Sequence, residues 1–394
     1  MLIRQTSTKH QSIEQPARSW FSFRTICSLL LVVFAFGLAP FLSQRWRTKS
    51  LVESIRSHGG EVRIDQYACY NGACFYIPLA VSESLSRITY ISYAGSNSCP
   101  VDDAFVESME HQPSLFILKL GDRNHPARIT DRGFSVMKQF PKLASLSLNG
   151  TSLTESSYKE LSQFPSLRSL TLCNFDSHSE QLRSISQLKR LNSLSLTAVN
   201  ISNRELEHIS SLTNLKSIGF SGTTIEKDSF RNLSNMSQLT LMSIYFSEFD
   251  PAELNYLTAL TSLQCLRLLG STINDTHLRE TAKLSQLRQL HLEESDISDQ
   301  GLTHLTDLEN LNVLFLNHTA ISDAGVQHLT QLNNLQYLHL GHTKITSQVI
   351  NSLLNMPRLI RVRGVEKVLT EESLQALQDA GIEVEREGSY IKLP

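Results

Sequence analysis

The chain has 394 residues, of which 41% are hydrophobic and 19% charged, so it has enough apolar material for a large core. Its net charge of −2 is unevenly divided: residues 1–60 carry eight Lys or Arg and two Asp or Glu, and the rest carry 28 and 36. Because the larger part is mildly acidic, the composition argues against a nucleic-acid-binding role.

The first apolar segment, residues 25–43, predicts a single membrane-spanning helix after a short basic tail at residues 1–24. Ile26–Leu42 contains no charge, and basic residues and a Trp lie near each end of it. A cleaved signal peptide is the alternative, but Ala39 is followed at once by Pro40, which makes a poor cleavage site. The flanks carry three and four basic residues, so these charges do not decide the orientation.

Residues 44–110 predict a cap or spacer next to the membrane. An apolar helical face at residues 51–55 is followed by Gly-Gly and by an alternation in Val62–Ile64 that predicts a strand. Cys69 and Cys74 could close a small disulfide loop, which favours an oxidising compartment outside the cytoplasm.

The remaining domain, residues 111–394, is dominated by one period. From Leu143 to Leu359 leucine recurs with a 24-residue period, ten times in succession, which predicts a stacked-repeat solenoid. In the unit Leu311–Asn334, an L-x-x-L-x-L run predicts a strand, and a short helix follows with Ser322 as its N-cap. Each repeat is therefore predicted to be a strand, a turn and a short helix.

The two ends of the array depart from the period. Ile88–Tyr93 predicts one more degenerate strand. The step from Leu115 to Leu143 is four positions longer than the period, which places four extra residues within Asp122–Arg128. After Gly381, residues 382–385 predict a last covering strand.

Helix starts carry capping signals. Two capping boxes are predicted, one from Ser202 to Glu205 and one from Asp250 to Glu253, because an acidic residue follows a capping residue at the third position.

The motif L-x-x-L-x-L-x-x-T-x-I-S-D-x-G-[LV]-x-x-L stands nearly whole at Leu287–Leu305 and Leu311–Leu329. It resembles the leucine-rich repeat family, most of all its ribonuclease-inhibitor-like and F-box-type branch. Thr or Ser replaces the family's usual Asn after the strand, which is similar to membrane-anchored, planctomycete-type bacterial members. The resemblance implies an α/β, right-handed, horseshoe-shaped solenoid with a parallel sheet on its concave face, preceded by one transmembrane helix. It does not imply a particular function, because the same scaffold serves many functions.

The sequence contains no catalytic, cofactor or metal motif: G-x-S-x-G, P-loop, H-E-x-x-H and G-x-G-x-x-G patterns are all absent. His318 and His342 occupy equivalent positions in adjacent repeats, about 5 Å apart at the usual strand spacing. We interpret them as exposed turn residues, because no third ligand is evident. Cys173 and Cys265 lie four repeats apart and are expected to be free thiols.

Residues between the strand leucines point to the concave face, the usual binding surface of a solenoid. In the first four repeats these positions hold small residues such as Ser169 and Ser193, and from the fifth or sixth repeat onward they become large, aromatic and basic. Clustered Tyr and Arg are typical of binding surfaces. The predicted ligand-binding residues are Arg267, His291, Phe315, Tyr337, His339, Arg361 and Arg363.

These features favour a non-enzymatic recognition protein, anchored by a single membrane span, with the solenoid outside the cytoplasm. The expected partner is a protein or a cell-envelope polymer, with no cofactor and no nucleic acid. One alternative is an enzyme with an active site in residues 44–114, where the acidic residues form no recognisable partner pattern. Another is a passive envelope spacer. The acidic residues of that segment are Asp65, Glu83, Asp102 and Asp103.

Overall fold

The computed structural model describes residues 50–57, 60–64, 67–70, 73–76, 88–93, 101–109, 112–122, 125–173, 179–270 and 272–388. The predicted membrane segment at residues 25–43 lies outside the described residues. Within the described ranges, no helix is both long enough and apolar enough to span a bilayer.

One sheet of 14 strands runs through the described chain. A separate two-stranded hairpin lies between the first two strands of that sheet in the sequence. The strands are β1 (Glu61–Ile64), β2 (Tyr67–Tyr70), β3 (Ala73–Tyr76), β4 (Ile88–Tyr93), β5 (Ile117–Leu120), β6 (Ser145–Asn149), β7 (Ser169–Cys173), β8 (Ser193–Thr197), β9 (Ser217–Ser221), β10 (Leu241–Tyr245), β11 (Cys265–Leu269), β12 (Gln289–His291), β13 (Val313–Phe315), β14 (Tyr337–His339), β15 (Arg361–Arg363) and β16 (Glu383–Glu385). β1 is antiparallel to β4, and from β4 to β16 each strand is parallel to the next.

Short helices connect the parallel strands, as expected for strand–turn–helix repeats. The α-helices are α1 (Asp103–Ser108), α2 (Asp131–Met137), α3 (Glu155–Glu160), α4 (Ser179–Ile185), α5 (Asn203–Ser210), α6 (Asp275–Thr281), α7 (Asp299–Leu302), α8 (Asp323–His328), α9 (Val349–Leu354) and α10 (Glu371–Asp379). Segments of 3₁₀-helix lie at Leu161–Gln163, Phe230–Asn235, Pro251–Ala259, Thr303–Asp307 and Leu329–Gln331.

The strand register confirms the 24-residue repeat. Leu146 pairs with Leu170 and Leu170 with Leu194, so each strand leucine lies beside its counterpart in the next repeat. These leucines are fully or almost fully buried and belong to one core that extends along the whole array. The core therefore grows by stacking neighbouring repeats.

The irregular ends are also confirmed. Leu118 pairs with Leu146, so these two residues are separated by one period plus four positions. The helix N-caps Thr130 and Thr154, in contrast, are separated by one period. The four extra residues therefore lie between β5 and Thr130, where Asp122 makes a turn with His125. At the far end, β16 pairs with β15 as the covering strand.

The N-terminal cap has the predicted helix and strand. Residues 50–57 are helical and bury Leu51, Val52 and Ile55, while β1 closes the first edge of the sheet against β4. In the hairpin of β2 and β3, Cys69 pairs in register with Cys74, the arrangement that the predicted disulfide loop requires of the backbone.

Successive repeats are joined by a link that sequence analysis did not predict. Asp299, the first residue of α7, accepts hydrogen bonds from the next helix cap, Ser322, whose N–H lies 2.8 Å from Oδ1 and whose hydroxyl lies 2.5 Å from Oδ2. A Cβ added at Gly325 would overlap Asp299 Oδ1, so the S-D-x-G motif needs this glycine for the close approach of the carboxylate. We call this arrangement the carboxylate link. It recurs in the pairs Asp103–Thr130, Asp131–Thr154, Asp275–Ser298 and Asp323–Thr346.

The links perturb two of the carboxylates. Burial by itself raises the pKa of Asp103, but hydrogen bonds from Thr130 outweigh it and hold that pKa below its ordinary value. The pKa of Asp131 is lowered in the same way, because donors from Ser157 and Thr154 outweigh its burial. Both groups are therefore held in the charged form by the folded structure.

The middle of the array differs. The capping box from Ser202 to Glu205 is present. The predicted box from Asp250 to Glu253 is wrong, because the Glu253 carboxylate instead accepts the N–H groups of Asp228 and Phe230 in the preceding repeat. The physical reason is that both amides lie at the start of the 3₁₀-helix Phe230–Asn235, where backbone N–H groups have no acceptor within the helix and Ser229 makes no side-chain cap bond.

Candidate binding site on the concave face

We call the sheet face opposite the leucine core the concave face, after its predicted curvature. The predicted ligand-binding residues lie on this face in two rows, because side chains alternate along each strand and the register aligns adjacent strands. The first row contains Arg267, His291, Phe315, His339 and Arg363. The second contains Tyr337 and Arg361, which follow Val313. The structure thus brings all seven predicted residues together.

A binding surface would be expected to expose these side chains, but several of them are buried. Tyr337 is 0% exposed, Phe315 3% and His291 6%. The His291 ring stacks on Phe315 with centroids 4.3 Å apart, and Phe315 contacts Tyr337 at 5.2 Å and His339 at 5.7 Å. Because adjacent strands are only about 4.8 Å apart, large side chains in one row pack on each other. They form a closely packed aromatic layer on the sheet.

Two of the predicted cations are already paired. Arg361 contacts Glu383 at 2.8 Å and Glu385 at 3.2 Å, and Arg363 lies 3.8 Å from Glu385. The Tyr337 hydroxyl donates to Glu385 at 3.3 Å. Burial, reinforced by the Glu385 charge, raises the pKa of Tyr337 to about 12. The acidic strand β16 therefore neutralises the last basic strand, a role that the sequence did not indicate.

Arg267 is different. Its guanidinium lies 3.5 Å from the Tyr245 hydroxyl and beside the Cys265 thiol, which are both neutral groups. Burial raises the pKa of that thiol in spite of the neighbouring cation. Among the residues that the structure describes, no carboxylate forms an ion pair with Arg267.

Several polar atoms on the C-terminal half of the concave face are buried and lack a hydrogen-bond partner within the described part of the chain. His291 uses Nδ1, which lies 3.4 Å from Glu293 Oε1, but its Nε2 has no partner. Leaving such an atom unsatisfied costs about 1–3 kcal/mol, so each one needs an explanation. They include Arg267 Nε, His291 Nε2, Glu293 Oε2, Asn317 Oδ1 and His339 Nδ1.

The charge state of His339 follows from its surroundings. Burial, together with the nearby Arg363 cation, lowers the pKa of His339 to about 4. Its imidazole is therefore neutral near pH 7, and the row carries its positive charge mainly on the two arginines.

His318 and His342 are exposed turn residues, as predicted. Their rings stack with centroids 4.3 Å apart, and both have left-handed backbones, with φ of 59° and 57°. His342 Nε2 also lies 3.3 Å from Glu387. In the described residues, no group of three or more His, Cys, Asp or Glu side chains could hold a metal ion.

The acidic residues of the alternative active site have other contacts. Asp102 is the N-cap of α1 and accepts the N–H of Phe105, and Asp103 forms a carboxylate link with Thr130. Asp65 and Glu83 lie outside the described residues. Cys173 and Cys265 form no disulfide among the described residues, as predicted.

The 24-residue register and the leucine rows define the chain as a solenoid of leucine-rich repeats. No protein-family model matches the chain, and no curated protein matches it. Its fold is similar to that of an internalin (InlF) of Listeria monocytogenes, with 18% identity, a TM-score of 0.47 and coverage of 87% of this chain and 95% of the other. It is similar to a leucine-rich repeat protein of Leptospira interrogans, with 16% identity, a TM-score of 0.40 and coverage of 78% and 92%. For internalin C2 of Listeria monocytogenes the values are 19%, 0.31, 62% and 84%.

Proposed function

We propose that this protein is a recognition module that binds a protein partner or a cell-envelope polymer through the C-terminal half of its concave face. The observation that carries the proposal is the pair of rows of aromatic and basic side chains on the concave face of β11 to β15. A bound partner would meet a surface whose aromatic rings are already packed on one another, which lowers the entropic cost of ordering them on binding.

The N-terminal half of the same face offers no comparable surface. Its rows carry short side chains such as Ser169, Thr171, Ser193 and Ser195. Within the described ranges, none of the unsatisfied buried side-chain atoms belongs to β6, β7, β8 or β9. The contrast between the two halves supports a binding surface confined to the C-terminal repeats.

Membrane anchoring belongs to the same proposal. The uncharged segment within residues 25–43 would hold the protein in a bilayer, with the solenoid outside the cytoplasm. The in-register pairing of Cys69 and Cys74 supports an oxidising compartment, because it is the backbone arrangement that a disulfide loop needs.

A steric block tests the surface without depending on the chemistry of the ligand. Gln289 lies on β12 in the second row, and Ser193 holds the equivalent position on β8. Full-length Gln289→Trp and Ser193→Trp variants would be compared with the wild type. The assays are capture of proteins from an envelope extract and cosedimentation with insoluble envelope polymer.

We expect Gln289→Trp to abolish binding and Ser193→Trp to leave it intact, with both variants keeping the wild-type circular dichroism spectrum. Loss of binding only in the Ser193 variant would move the site to the N-terminal half. Equal binding by all three proteins would refute the proposed function.

A further inference from the structure

We infer that a row of exposed turn residues at one edge of the sheet contacts the partner directly, and that this partner is a folded protein. This inference rests on the proposed function, and it adds the exposed side chains that touch the partner and the class of the partner. It starts from the burial of the concave face, where Tyr337 is 0% exposed and Phe315 3%. Side chains so deeply buried offer little contact area, so exposed groups beside them are needed. We call those groups the rim row; its members are Phe246, Glu294, His318 and His342.

The rim row occupies one position of the repeat, just after the strand. Phe246 follows the last residue of β10, and the other members hold the same position in later repeats. The backbone is left-handed there, with φ of 48° at Phe246 and 58° at Glu294. The Phe246 N–H donates to Leu269 O at 2.8 Å, and the His318 N–H donates to Gly341 O at 2.9 Å. These bonds tie the turns to the next repeat, so the stacking of repeats imposes the left-handed conformation.

The choice of side chains in the rim row is costly for folding. Glycine adopts a left-handed backbone without strain, whereas a residue with a Cβ is sterically disfavoured there, and a bulky aromatic residue most of all. In the first regular repeats the described residues at this position are small, namely Gly150, Ala198 and Gly222. From β10 onward the chain places large side chains in the same strained conformation. Strain of this kind is typical of functional sites, and folding alone does not account for it.

The rim row is also exposed, and its rings are held in place. Phe246 is 52% exposed, and the His342 side chain is 55% exposed. The Phe246 ring lies over Gly270, where an added Cβ would overlap its Cδ1. The rings of His318 and His342 stack with centroids 4.3 Å apart. Because these rings are already ordered, a partner that covers them gains contact area at a low entropic cost.

The rim row adjoins the proposed binding surface. Tyr245 directly precedes Phe246, and its hydroxyl lies 3.5 Å from the Arg267 guanidinium on the concave face. The two histidines follow β13 and β14, the strands that carry Phe315 and Tyr337. Large side chains therefore begin in the same part of the array in the rim row and on the concave face. One partner can cover both.

The composition of the rim row favours a folded protein over a polymer. The scaffold presents the same position at each strand, about 4.8 Å apart, so a polymer of identical units would be matched by similar side chains in successive repeats. The rim row instead holds a phenyl ring, the glycine Gly270, a carboxylate and two imidazoles over four strand spacings, roughly 19 Å. A row that does not repeat matches a surface whose groups do not repeat either. Aromatic anchors in such a row are typical of protein interfaces.

Site-specific crosslinking tests the inference in the host cell. The photoreactive residue p-benzoylphenylalanine replaces one residue of the full-length chain at a time: Phe246, His342, Gln289 on the concave face, or Ala198. Ala198 is the matched control, because it is exposed in the same turn of an earlier repeat with φ of 54°. After irradiation, adducts are detected on denaturing gels. We expect one adduct of discrete mass from Phe246, His342 and Gln289, and none from Ala198.

The alternative outcomes separate the two proposals. An adduct from Gln289 with none from Phe246 or His342 would refute the rim row and leave the binding face standing. Absence of an adduct from all three positions would refute both. An adduct of twice the mass of this chain would identify a second copy as the occupant. A heterogeneous adduct that glycoside hydrolases shorten would identify a polymer. Either of these two results would overturn the inference of a separate folded protein.

The crosslinked protein is then identified by mass spectrometry, purified and titrated against full-length wild type, Phe246→Gly and Ala198→Gly. We expect Phe246→Gly to weaken binding about ten-fold or more, and Ala198→Gly to leave it unchanged within about two-fold. Because glycine relieves the backbone strain, the urea midpoint of Phe246→Gly should be no lower than that of the wild type. A lower midpoint with unchanged affinity would assign the ring to packing within the chain and would overturn the inference.

Discussion

The substitution Gly325→Ala tests whether the carboxylate link is a real connection between repeats. In an ordinary helix, replacing Gly with Ala stabilises the protein by about 1 kcal/mol. Here the new methyl group would overlap Asp299 Oδ1 and would displace this carboxylate from Ser322. We therefore expect the substitution to destabilise the protein, against the usual helix propensity.

The magnitude follows from the hydrogen bonds that the substitution breaks. Asp299 accepts two of them from Ser322, at 2.8 and 2.5 Å, and bonds to a charged group contribute about 1.5 kcal/mol or more each. Because Asp299 is half-buried, water would replace part of the hydrogen bonding that Ser322 provides. We therefore expect breaking these two bonds to cost about 2–3 kcal/mol of folding free energy. After the helix-propensity gain of about 1 kcal/mol, Gly325→Ala should lower the free energy of unfolding by about 1–2 kcal/mol.

Urea unfolding of four proteins measures this: wild type, Gly325→Ala, Asp299→Ala and the double variant. In the Asp299→Ala background there is no carboxylate to displace, so Gly325→Ala should become stabilising. A double-mutant cycle then gives a coupling energy of about 2–3 kcal/mol, the difference between the effects of Gly325→Ala in the two backgrounds. Stabilisation by Gly325→Ala in the wild-type background would refute the reasoning.

Three further predictions use the core, the acid side chains and the N-terminal segment. Leu290→Ala should cost about 2–5 kcal/mol in denaturant titrations because Leu290 is 0% exposed, and His291→Ala about 1 kcal/mol because its stacked ring contributes less. Asp103 and Asp131 have lowered pKa values in the folded state. Their contribution to stability is therefore complete above their ordinary pKa of 3.8 and is lost as the pH falls through the folded-state pKa, which urea midpoints measured from about pH 5 to pH 2 would show. Deleting residues 1–43 should move the protein from the membrane fraction to the soluble fraction with its circular dichroism spectrum retained, because the leucines of the 24-residue repeat begin far beyond that segment.

For each of these three predictions, one experimental result would contradict the reasoning. Equal losses for Leu290→Ala and His291→Ala would mean that the two side chains share one environment. An acid profile that is unchanged in an Asp131→Asn variant would show that this carboxylate does not contribute. A truncated protein that is insoluble and lacks helix and strand signals would show that the array depends on residues 1–43.

Much of the fold could be predicted because one period controls it. The regular spacing of leucines determines the strand register, and the longer step from Leu115 to Leu143 locates the four extra residues before Thr130. The carboxylate links could not be predicted from one repeat, since donor and acceptor belong to different repeats. The Asp250–Glu253 box failed for the same reason: Glu253 has better-placed donors in the preceding repeat than in its own.

At the candidate site, alternation along the strands correctly placed the seven residues on one face. Their burial was missed because it depends on the lateral packing of side chains such as His291 and Phe315, which strand alternation does not describe. The pairing of Arg361 with Glu383 was missed because the last step of the sheet is two positions shorter than the repeat, so the acidic strand falls outside the repeat alignment. The unsatisfied atoms around Arg267 leave no trace in sequence.

The direction of the carboxylate links bears on synthesis by the ribosome. In the outer parts of the array the acceptor precedes its donor, as Asp299 precedes Ser322, so each emerging helix cap meets a carboxylate already in place. In the middle of the array the donor precedes its acceptor. The N–H of Asn203 donates to Glu226 and the N–H of Phe230 donates to Glu253, and each acceptor lies almost one full repeat later in the chain. During synthesis the amides of Asn203 and Phe230 therefore lack these acceptors until the following repeat has left the ribosomal tunnel. Translational pausing near this point would prolong the interval in which the half-built array exposes an unfinished end.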